Sequence, residues 1–590
     1  MAWFKGTATD YQDMMDIIKN LAKDDHISVA DIYDGGIDYA VGDTIVLAGG
    51  TKYHEPEIEV RGVTSGDYIT VAAVNAGGTG YVIGDSLVPT TGTYDVAPVL
   101  EVLTLSGSAV ATILILNPGV ASAQPTNPVA TTSDGAGTGC TIDFTFTAGS
   151  GIITASHISD AGVYTSQASN PVLQNTSSGS GTGAKFEVTY VDTAWEAKVD
   201  HEAEEATVAA IAVAGTGYTL NDIVTVVGGS FTEAATVKIT AESGGVPSAV
   251  TVNTGGEYIT TPGNPASSSG GTGSGLTLTM TYATTVLEHK YLMIHNTTTD
   301  QYIGWKSVKE TSPETAYVLQ CNGFSGFNSV STPWDQQPGA VSADSDREDN
   351  YVPLSGGGTP ATINYWMSID DERITAVFKV ASVYPNMYLG APDRFLTANE
   401  WGYPQLILGC IARKSPYTYG GNDFAGMNNP GVWTAESSTY GGPGWLRKPD
   451  GTFTQVANWE IVSGNPSLLN IDDVVQITPC AGTDYNPPAA PNSWYVDTHN
   501  WGELFNVKTI IPAGQDELKR VSDEFMLVPC TIVSDVGERR LFGSMRGVFC
   551  FNPDGTINSE DRIYIGTDVY KCFQNCGQSN RNYFFALKEN

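Results

Sequence analysis

Apolar residues near the start of the chain recur every three or four positions, the spacing that places side chains on one face of an α-helix. We therefore predict an amphipathic helix over residues 9–23, with Thr9 and Gln12 at the spacing of a capping box. The rest of the chain offers mainly strand patterns against which this face can pack. The apolar residues of the face are Tyr11, Met14, Met15, Ile18, Leu21 and Ala22.

A second pattern, strict alternation of apolar and polar residues, predicts strands that bury one face. Each such strand follows an Asn-Pro pair and a Gly-Thr-Gly turn, in series that begin at Asn127, Asn170 and Asn264. We interpret this series as the second half of a repeated β module. The alternating residues are Ile142, Phe144 and Phe146, then Phe186, Val188 and Tyr190, and then Leu276, Leu278 and Met280.

A different Gly-rich motif ends in Tyr and Asp and precedes other strands. It covers residues 34–43, 76–85 and 214–222. Its Gly residues permit the positive φ of a tight turn, and its Asp is expected to accept backbone N–H bonds at the next turn. Its Tyr is expected to fold back over the core. We interpret this motif as the first half of the module.

The order of the two halves predicts that one module is nested in another. Residues 63–147 (the nested module) and 207–283 (the third module) each hold both halves. Residues 27–62 hold a first half and residues 148–192 a second, and we name these together the outer module. Insertion at an exposed turn explains this order, because it is tolerated where the inserted ends lie close together. The alternative is two incomplete modules, each with an unpaired sheet edge.

Residues 284–590 lack the Gly-rich motifs and are richer in Trp and Tyr. Strand-like runs separated by Pro, Gly and Asn predict one large β or α+β domain there, to which the N-terminal region 1–26 also belongs. The predicted fold class is therefore mainly β. Several small Gly-rich modules, one nested in another, are inserted into a large C-terminal domain that includes one N-terminal amphipathic helix.

Composition and charge narrow the classes of function. The chain has 590 residues with 28 Tyr, 19 Phe and 11 Trp, which supply ample core material and exclude intrinsic disorder. The net charge of −35 repels phosphate backbones and anionic lipid surfaces, so we expect no nucleic-acid partner. There is neither a long apolar run nor a signal-peptide core, so we expect synthesis in a cytoplasm and no membrane insertion. The eight Cys are interpreted as buried thiols, with disulfides formed after release from the cell as the alternative.

A series of short motifs runs in order through residues 6–22 and about 290–590. Its members include Gly6-Thr7-Ala8-Thr9-Asp10-Tyr11, Gln301-Tyr302-Ile303-Gly304-Trp305, Trp334-Asp335-Gln336-Gln337-Pro338-Gly339, Ile363-Asn364-Tyr365-Trp366, Tyr403-Pro404-Gln405-Leu406 and Tyr570-Lys571-Cys572-Phe573-Gln574-Asn575. In this order the series resembles a family of tailed-bacteriophage virion structural proteins. The Gly-rich modules depart from the simpler members of that family, in which the helix leads quickly into the large domain.

The resemblance implies a structural component of a virion assembled in a bacterial cytoplasm, at the tail, baseplate, neck or collar. Its partners would be other virion proteins and copies of itself, as a trimer or a higher ring. A receptor-binding tail fibre or adhesin that recognises a host-surface glycan or protein is the alternative. A polysaccharide depolymerase ranks third.

No motif predicts catalysis, a cofactor or a metal ion. The seven His are scattered, and the Gly-rich segment 77–84 lacks the strand-then-helix context of a nucleotide loop. Cys572 and Cys576 have no second pair with which to hold a metal ion. We therefore predict that the protein is not an enzyme and has no catalytic, cofactor-binding or metal-binding residues.

Two acidic clusters and a set of aromatic residues are the nearest candidates. We interpret Asp344, Asp346, Glu348 and Asp349 as a solvated loop, because the central Gly and the ligand spacing of a calcium loop are missing. Neighbouring strand residues point to opposite faces, so Asp370, Asp371 and Glu372 do not suit a glycosidase pair. We predict a hairpin turn at Asp371-Glu372-Arg373 instead. The aromatics that could stack on sugars, but are interpreted mainly as core, are Trp401, Tyr417 and Tyr419.

Overall fold

The fold is given by a computed structural model. It describes residues 1–202, 204–284, 290–310, 316–333, 336–340, 351–354, 362–380, 384–394, 405–408, 444–447, 453–456, 475–478, 525, 527–534, 540–551, 557–574 and 584–589. These residues are mainly β, as predicted, with a single helix among them. They form two compact units, one comprising Met1–Phe4 and Asp24–Asp192 and the other Lys5–Lys23 and Thr193–Glu589.

The strands of the first unit are short apart from two long ones. Strand β1 (Ala2–Ala8) begins in this unit and ends in the second. The others are β2 (His26–Asp34), β3 (Thr44–Leu47), β4 (Thr51–His54), β5 (Glu57–Thr79), β6 (Ser86–Pro89), β7 (Thr93–Val96), β8 (Val99–Ser106), β9 (Ala109–Asn117), β10 (Val120–Ala123), β11 (Val129–Ser133), β12 (Thr138–Asp160), β13 (Val163–Ser166), β14 (Val172–Ser177) and β15 (Lys185–Val191). The long strands β5 and β12 pair antiparallel along their whole length. They form a two-stranded ribbon that runs through both the outer and the nested module.

The second unit continues the alternation of short strands and turns. Its strands up to residue 394 are β16 (Trp195–Glu202), β17 (Glu204–Val213), β18 (Ile223–Val227), β19 (Ser230–Glu233), β20 (Thr236–Ser243), β21 (Val246–Thr254), β22 (Glu257–Thr260), β23 (Ala266–Ser269), β24 (Thr277–Thr284), β25 (Lys290–Asn296), β26 (Gln301–Glu310), β27 (Ala316–Phe324), β28 (Tyr351–Pro353), β29 (Ile363–Ile369), β30 (Arg373–Lys379), β31 (Asn386–Gly390) and β32 (Asp393–Arg394). Those that follow are β33 (Gln405–Leu408), β34 (Gly444–Arg447), β35 (Phe453–Val456), β36 (Val475–Thr478), β37 (Val528–Ser534), β38 (Arg540–Phe551), β39 (Arg562–Ile565), β40 (Asp568–Gln574) and β41 (Phe584–Lys588).

Helix α1 spans Tyr11–Lys23, within the residues where the periodicity predicts a helix. The predicted cap is wrong by one residue, because Asp10 and not Thr9 accepts the free N–H groups. The Asp10 Oδ1 accepts from the backbone N of Gln12 at 2.9 Å and of Asp13 at 2.8 Å. Asp13 in turn accepts from the backbone N of Thr9 at 2.7 Å, so an acidic residue occupies the position that the sequence assigned to Gln12.

The apolar face of α1 is buried in the second unit. Its buried residues are Tyr11, Met14, Met15, Ile17, Ile18, Leu21 and Ala22. The helix contacts β16, β25, β26, β27 and β29. At its C-terminal end the Thr193 hydroxyl donates to the carbonyl of Ala22 at 2.7 Å, which satisfies an acceptor that the helix itself leaves free.

The rest of the second unit is built from large antiparallel sheets. One sheet has the order β16-β25-β26-β27-β28. Another begins with β1 and β29 and continues β30-β31-β33-β34-β35-β36-β37-β38-β41-β40-β39. From β29 onward its neighbours pair antiparallel, except for the parallel pair of β35 and β36. Strands β30 and β31 are buried on both faces, which explains why their apolar residues form continuous runs and do not alternate with polar ones.

The nested and third modules have the same strand order. In the nested module, the order is β7-β10-β5-β12-β11-β6-β8-β9. In the third module it is β19-β22-β17-β24-β23-β18-β20-β21, with each strand in the corresponding place. The outer module repeats this order in two pieces, β4-β13 and β2-β15-β14-β3-β5-β12. The last hairpin of the outer module is formed by the N-terminal half of β5 and the C-terminal half of β12. The corresponding hairpin is β8-β9 in the nested module and β20-β21 in the third module.

The hairpin registers of the nested and outer modules can be compared pair by pair. In the nested module Leu105 pairs with Val110 and Ser106 with Ala109, around a turn at Gly107. The same two rungs of the outer module are formed by other residues. They are Val63 with Ile153 and Thr64 with Ile152. Residues 65–151 therefore stand where the nested module has a two-residue turn.

In the three Asn-Pro pairs of the module motif, the Asn side chain bonds to both backbone groups of a strand residue, as a neighbouring strand would. The side-chain amide of Asn127 donates to the carbonyl of Phe144 at 2.7 Å and accepts from its N–H at 2.9 Å. Asn170 makes the same pair of bonds with Val188, at 2.8 and 2.9 Å, and Asn264 with Met280, at 2.7 and 2.8 Å. All three Asn-Pro bonds are cis. The amide thus holds the alternating strand to the loop that precedes it.

Asn127→Ala is expected to destabilise the nested module by about 1–2 kcal/mol, because both backbone groups of Phe144 lose their partner at a site that water partly reaches. Asn75, in the same module, is an exposed residue whose amide bonds to Asp143, so Asn75→Ala should change stability by less than about 0.5 kcal/mol. Amide hydrogen exchange of β11 and β12 measures the change in stability for each of the two variants. Equal effects of the two substitutions would contradict this role of Asn127.

Candidate functional site

A cleft lies in the first unit where the outer and nested modules meet, with a volume of about 550 Å³. Its deepest lining side chains are aliphatic and nearly inaccessible to solvent. These are Ile69 and Val120 from the nested module and Ile152 and Ile153 from the outer module. Half-buried apolar residues, including Ile115 and the ring of Tyr68, extend this apolar surface toward the opening.

Polar groups from both modules line the remaining part of the cleft. Asp34 and Lys185 are direct partners on β2 and β15, and the Lys185 Nζ lies 3.2 Å from the Asp34 Oδ2. Asn117 is fixed by accepting from the backbone N of Gly119 at 2.8 Å. The exposed Thr154 and Thr182 add hydroxyls. An apolar floor with a few fixed polar groups is the usual form of a small-molecule binding site.

Tyr33 follows the lining residue Ile32 in β2 and does not itself line the cleft. Burial raises the pKa of Tyr33, and the carboxylates of Glu101, Glu187 and Asp34 raise it further. The charged side chains that line the cleft are Asp34 and Lys185, one of each sign.

The Tyr and Asp residues of the Gly-rich motifs make contacts that support the fold. The carboxylates of Asp43, Asp85 and Asp222 each accept a backbone N–H at 2.9 Å, from Ala40, Val82 and Thr219 respectively. The sequence predicted such bonds at the following turn, whereas the N–H lies in the same turn. The side chains of Tyr39, Tyr81 and Tyr218 are buried in their modules, as expected. Burial raises the pKa of Tyr39 to about 12, and its hydroxyl accepts from the backbone N of Ala184 at 3.3 Å.

The acidic residues at 370–372 lie in a tight turn between β29 and β30, as the hairpin prediction required. Asp370 Oδ1 accepts from the backbone N of Glu372 at 3.0 Å and of Arg373 at 3.1 Å. Arg373, which the sequence placed in the turn, instead begins β30. Its side chain is buried and lies 2.9 Å from the Asp370 carboxylate.

Arg546 on β38 forms an ion-pair cluster with this turn, and no spacing or motif in the sequence predicted that contact. Its guanidinium lies 3.1 Å from Asp370, 2.7 Å from Glu372, and in direct contact with Asp393. Burial lowers the pKa of Arg546, but its bonds to Asp393 and the charge of Asp370 more than reverse this, so the pKa is raised. Asp370, Glu372 and Asp393 are thus each engaged with a cation, which suits a structural clamp.

Arg546→Ala is expected to destabilise the sheet around β38 by about 2 kcal/mol, because three carboxylates lose a shared cation at a partly exposed site. Arg546→Lys keeps the charge without the forked geometry and should have an intermediate effect. Lys588, 2.9 Å from Asp568, is a matched surface pair, and Lys588→Ala should cost less than about 0.5 kcal/mol. Denaturant unfolding of the three variants measures this order, and a neutral Arg546→Ala would disprove the clamp.

Several predicted candidates fall outside the described residues. They are the loop residues Asp344, Asp346, Glu348 and Asp349, the aromatics Trp401, Tyr417 and Tyr419, and Cys576. Cys140, Cys321 and Cys572 are buried free thiols, as predicted. Burial raises the pKa of each, which makes a reactive thiolate unfavourable. Within the described segments, no three His, Cys, Asp or Glu side chains come together as a metal site would need.

Comparison with known proteins adds no relative. The chain matches no family model, and no curated protein matches it significantly. No helix in the described parts of the chain is long and apolar enough to cross a membrane.

Proposed function

We propose that the protein is a non-enzymatic structural component of a tailed-phage virion, located at the tail, baseplate, neck or collar. The observation that carries the proposal is one strand order that recurs three times, in a chain whose other described residues form large sheets. Serial modules of this kind suit surface display on a particle. The ordered motifs in residues 6–22 and 290–590 supply the resemblance to virion proteins.

The nested arrangement is part of this proposal. Tyr39 packs its ring against Gly181, as Tyr81 does against Gly137 and Tyr218 against Gly273. The first contact joins residues 27–62 to residues 148–192, whereas the other two lie within continuous modules. Residues 27–62 and 148–192 therefore make the contacts of one module, which supports nesting over two incomplete modules.

The large C-terminal domain, with α1 packed on it, is proposed to bind neighbouring virion proteins and further copies of the chain. A symmetric trimer or higher ring follows from the repetition of virion parts around an axis. Native mass spectrometry of the purified chain tests this part, with a monomer at all concentrations as the opposing result.

Mass spectrometry of purified particles tests the virion assignment. Phage particles from a lysate that expresses this chain are banded by density, and the chain is quantified against a known capsid protein. We expect it in the particle band at a fixed ratio, and antibody labelling in electron micrographs at one position on the particle. A chain that remains in the soluble fraction would overturn the proposal.

The cleft in the first unit favours a second candidate, a receptor-binding adhesin. A concave surface with an apolar floor and fixed polar groups is not needed for assembly alone. Binding of the purified chain to host cells, competed by excess soluble chain, distinguishes an adhesin from a purely structural protein.

A further inference from the structure

We propose that the cleft between the outer and nested modules is a binding site for a neutral glycan segment of about disaccharide size. This inference rests on the proposed surface display, because a displayed module can reach an external glycan. It adds a site and a ligand class to that role.

The size of the cleft suits a small ligand. Its volume of about 550 Å³ falls within the range of roughly 300–1,000 Å³ that is typical of ligand pockets. The cleft is open on one side, so a longer chain could continue out of it. A short segment of a polymer therefore fits better than a small compact ion.

The charges favour a neutral ligand. Asp34 and Lys185 pair with each other, so neither is a free counter-ion for a charged group. An anion would have to compete with Asp34 for Lys185, and a cation with Lys185 for Asp34.

The mixed lining favours a ligand with an apolar face and many hydroxyls. The half-buried Ile32, Ile37 and Ile115 present apolar surface in the lining of the cleft. Asn117 and Thr154 lie on opposite modules and offer donors and acceptors from two sides. A sugar ring presents C–H groups on one face and hydroxyls at its edge. An alkyl chain would leave the polar groups of the cleft without partners.

Nesting creates the cleft, because its two walls belong to different modules. The corresponding hairpin of the third module closes at Gly244 and Gly245, where Ser243 pairs with Val246. No inserted module faces that hairpin. The third module therefore provides matched control positions in the same chain. By the strand correspondence, Val252 takes the place of Ile115 and Ser248 the place of Thr154.

Titration of the full-length chain with maltose and with chitobiose, followed by saturation-transfer NMR and calorimetry, tests the site. We expect at least one of these neutral disaccharides to bind. Ile115→Trp should fill the cleft and weaken binding at least about tenfold, whereas Val252→Trp should leave it unchanged. If Ile115→Trp disturbs folding, the exposed Thr154→Trp blocks the opening, with Ser248→Trp as its control.

The outcomes separate this proposal from the virion assignment, because the titration uses the isolated chain. Binding that is lost in the cleft variants and kept in the controls supports the site. Absence of binding by both disaccharides, or binding that Ile115→Trp and Thr154→Trp leave intact, overturns it even if the chain is found in particles. Binding of decanoate in the cleft in place of the sugars overturns the ligand class.

Discussion

Gly137→Ala is expected to destabilise the nested module by about 3 kcal/mol, at the upper end of the cost of overfilling a packed core. A Cβ at this position would lie 2.1 Å from the ring of Tyr81, closer than real carbon atoms approach. The ring cannot simply move, since its hydroxyl accepts from the backbone N of Cys140 at 3.2 Å and its surroundings are buried. Either the Gly-Thr-Gly turn that carries Gly137 or the Tyr81 turn must shift.

Gly263→Ala is the matched control, because a Cβ there would meet no atom within 4 Å and the backbone φ is not positive. It should be neutral or slightly stabilising, through reduced freedom of the unfolded chain. Hydrogen exchange resolved by peptide measures the two modules separately in the full-length protein. Faster exchange in residues 65–151 for Gly137→Ala, with no change in the third module for Gly263→Ala, is the expected pattern. A tolerated Gly137→Ala would show that the Tyr–Gly contact does not specify the module.

The sequence predicted the local parts of these modules because their signals are local. The Gly, Tyr and Asp of the first half lie within ten residues, and the turn that they form needs only its own backbone. The alternating strands are likewise set by a two-residue period. The partners across the module could not be predicted in this way. Tyr39 and Gly181 are far apart in the sequence and meet only in the folded chain.

The candidate site could not be predicted from the sequence either, because its residues are distant from one another in the chain. The cleft takes Ile69 from one module and Ile153 from another, and each alone reads as an ordinary core residue. Arg546 contacts the 370–372 turn from a strand that is distant in the chain, so the spacing of residues in the sequence does not predict this ion pair. At the helix cap, Thr9 and Asp10 are both good capping residues, and the sequence alone could not choose between adjacent positions.

Replacing residues 65–151 by Gly-Ser is expected to remove the nested module and leave the outer module folded. Gly and Ser are the residues of the equivalent turn, Gly107 and Ser108, and the φ of Gly107 is 70°. The rungs on either side, Val63 with Ile153 and Thr64 with Ile152, already have the register that a two-residue turn requires.

The new turn also preserves a contact with the first-half motif. In the intact chain the backbone N of Tyr39 donates to the carbonyl of Gly151 at 3.0 Å, and Tyr81 makes the same bond to Ser108 at 3.1 Å. In the shortened chain the inserted Ser supplies this acceptor. The melting temperature of the outer module should therefore change by less than about 5 °C, which corresponds to about 1 kcal/mol. Protection of β2 and β15 against hydrogen exchange measures it.

The control removes one residue more, 65–152, and keeps the same Gly-Ser link. It slips the C-terminal half of β12 by one position, which turns the buried Ile153 and its neighbours toward the opposite face. The outer module should then lose protection throughout β2, β3 and β15. If the in-register chain unfolds as readily as the slipped one, the outer module depends on the nested module for its stability. The two modules would then form a single folding unit, which contradicts the interpretation of the nested module as an insertion at a turn.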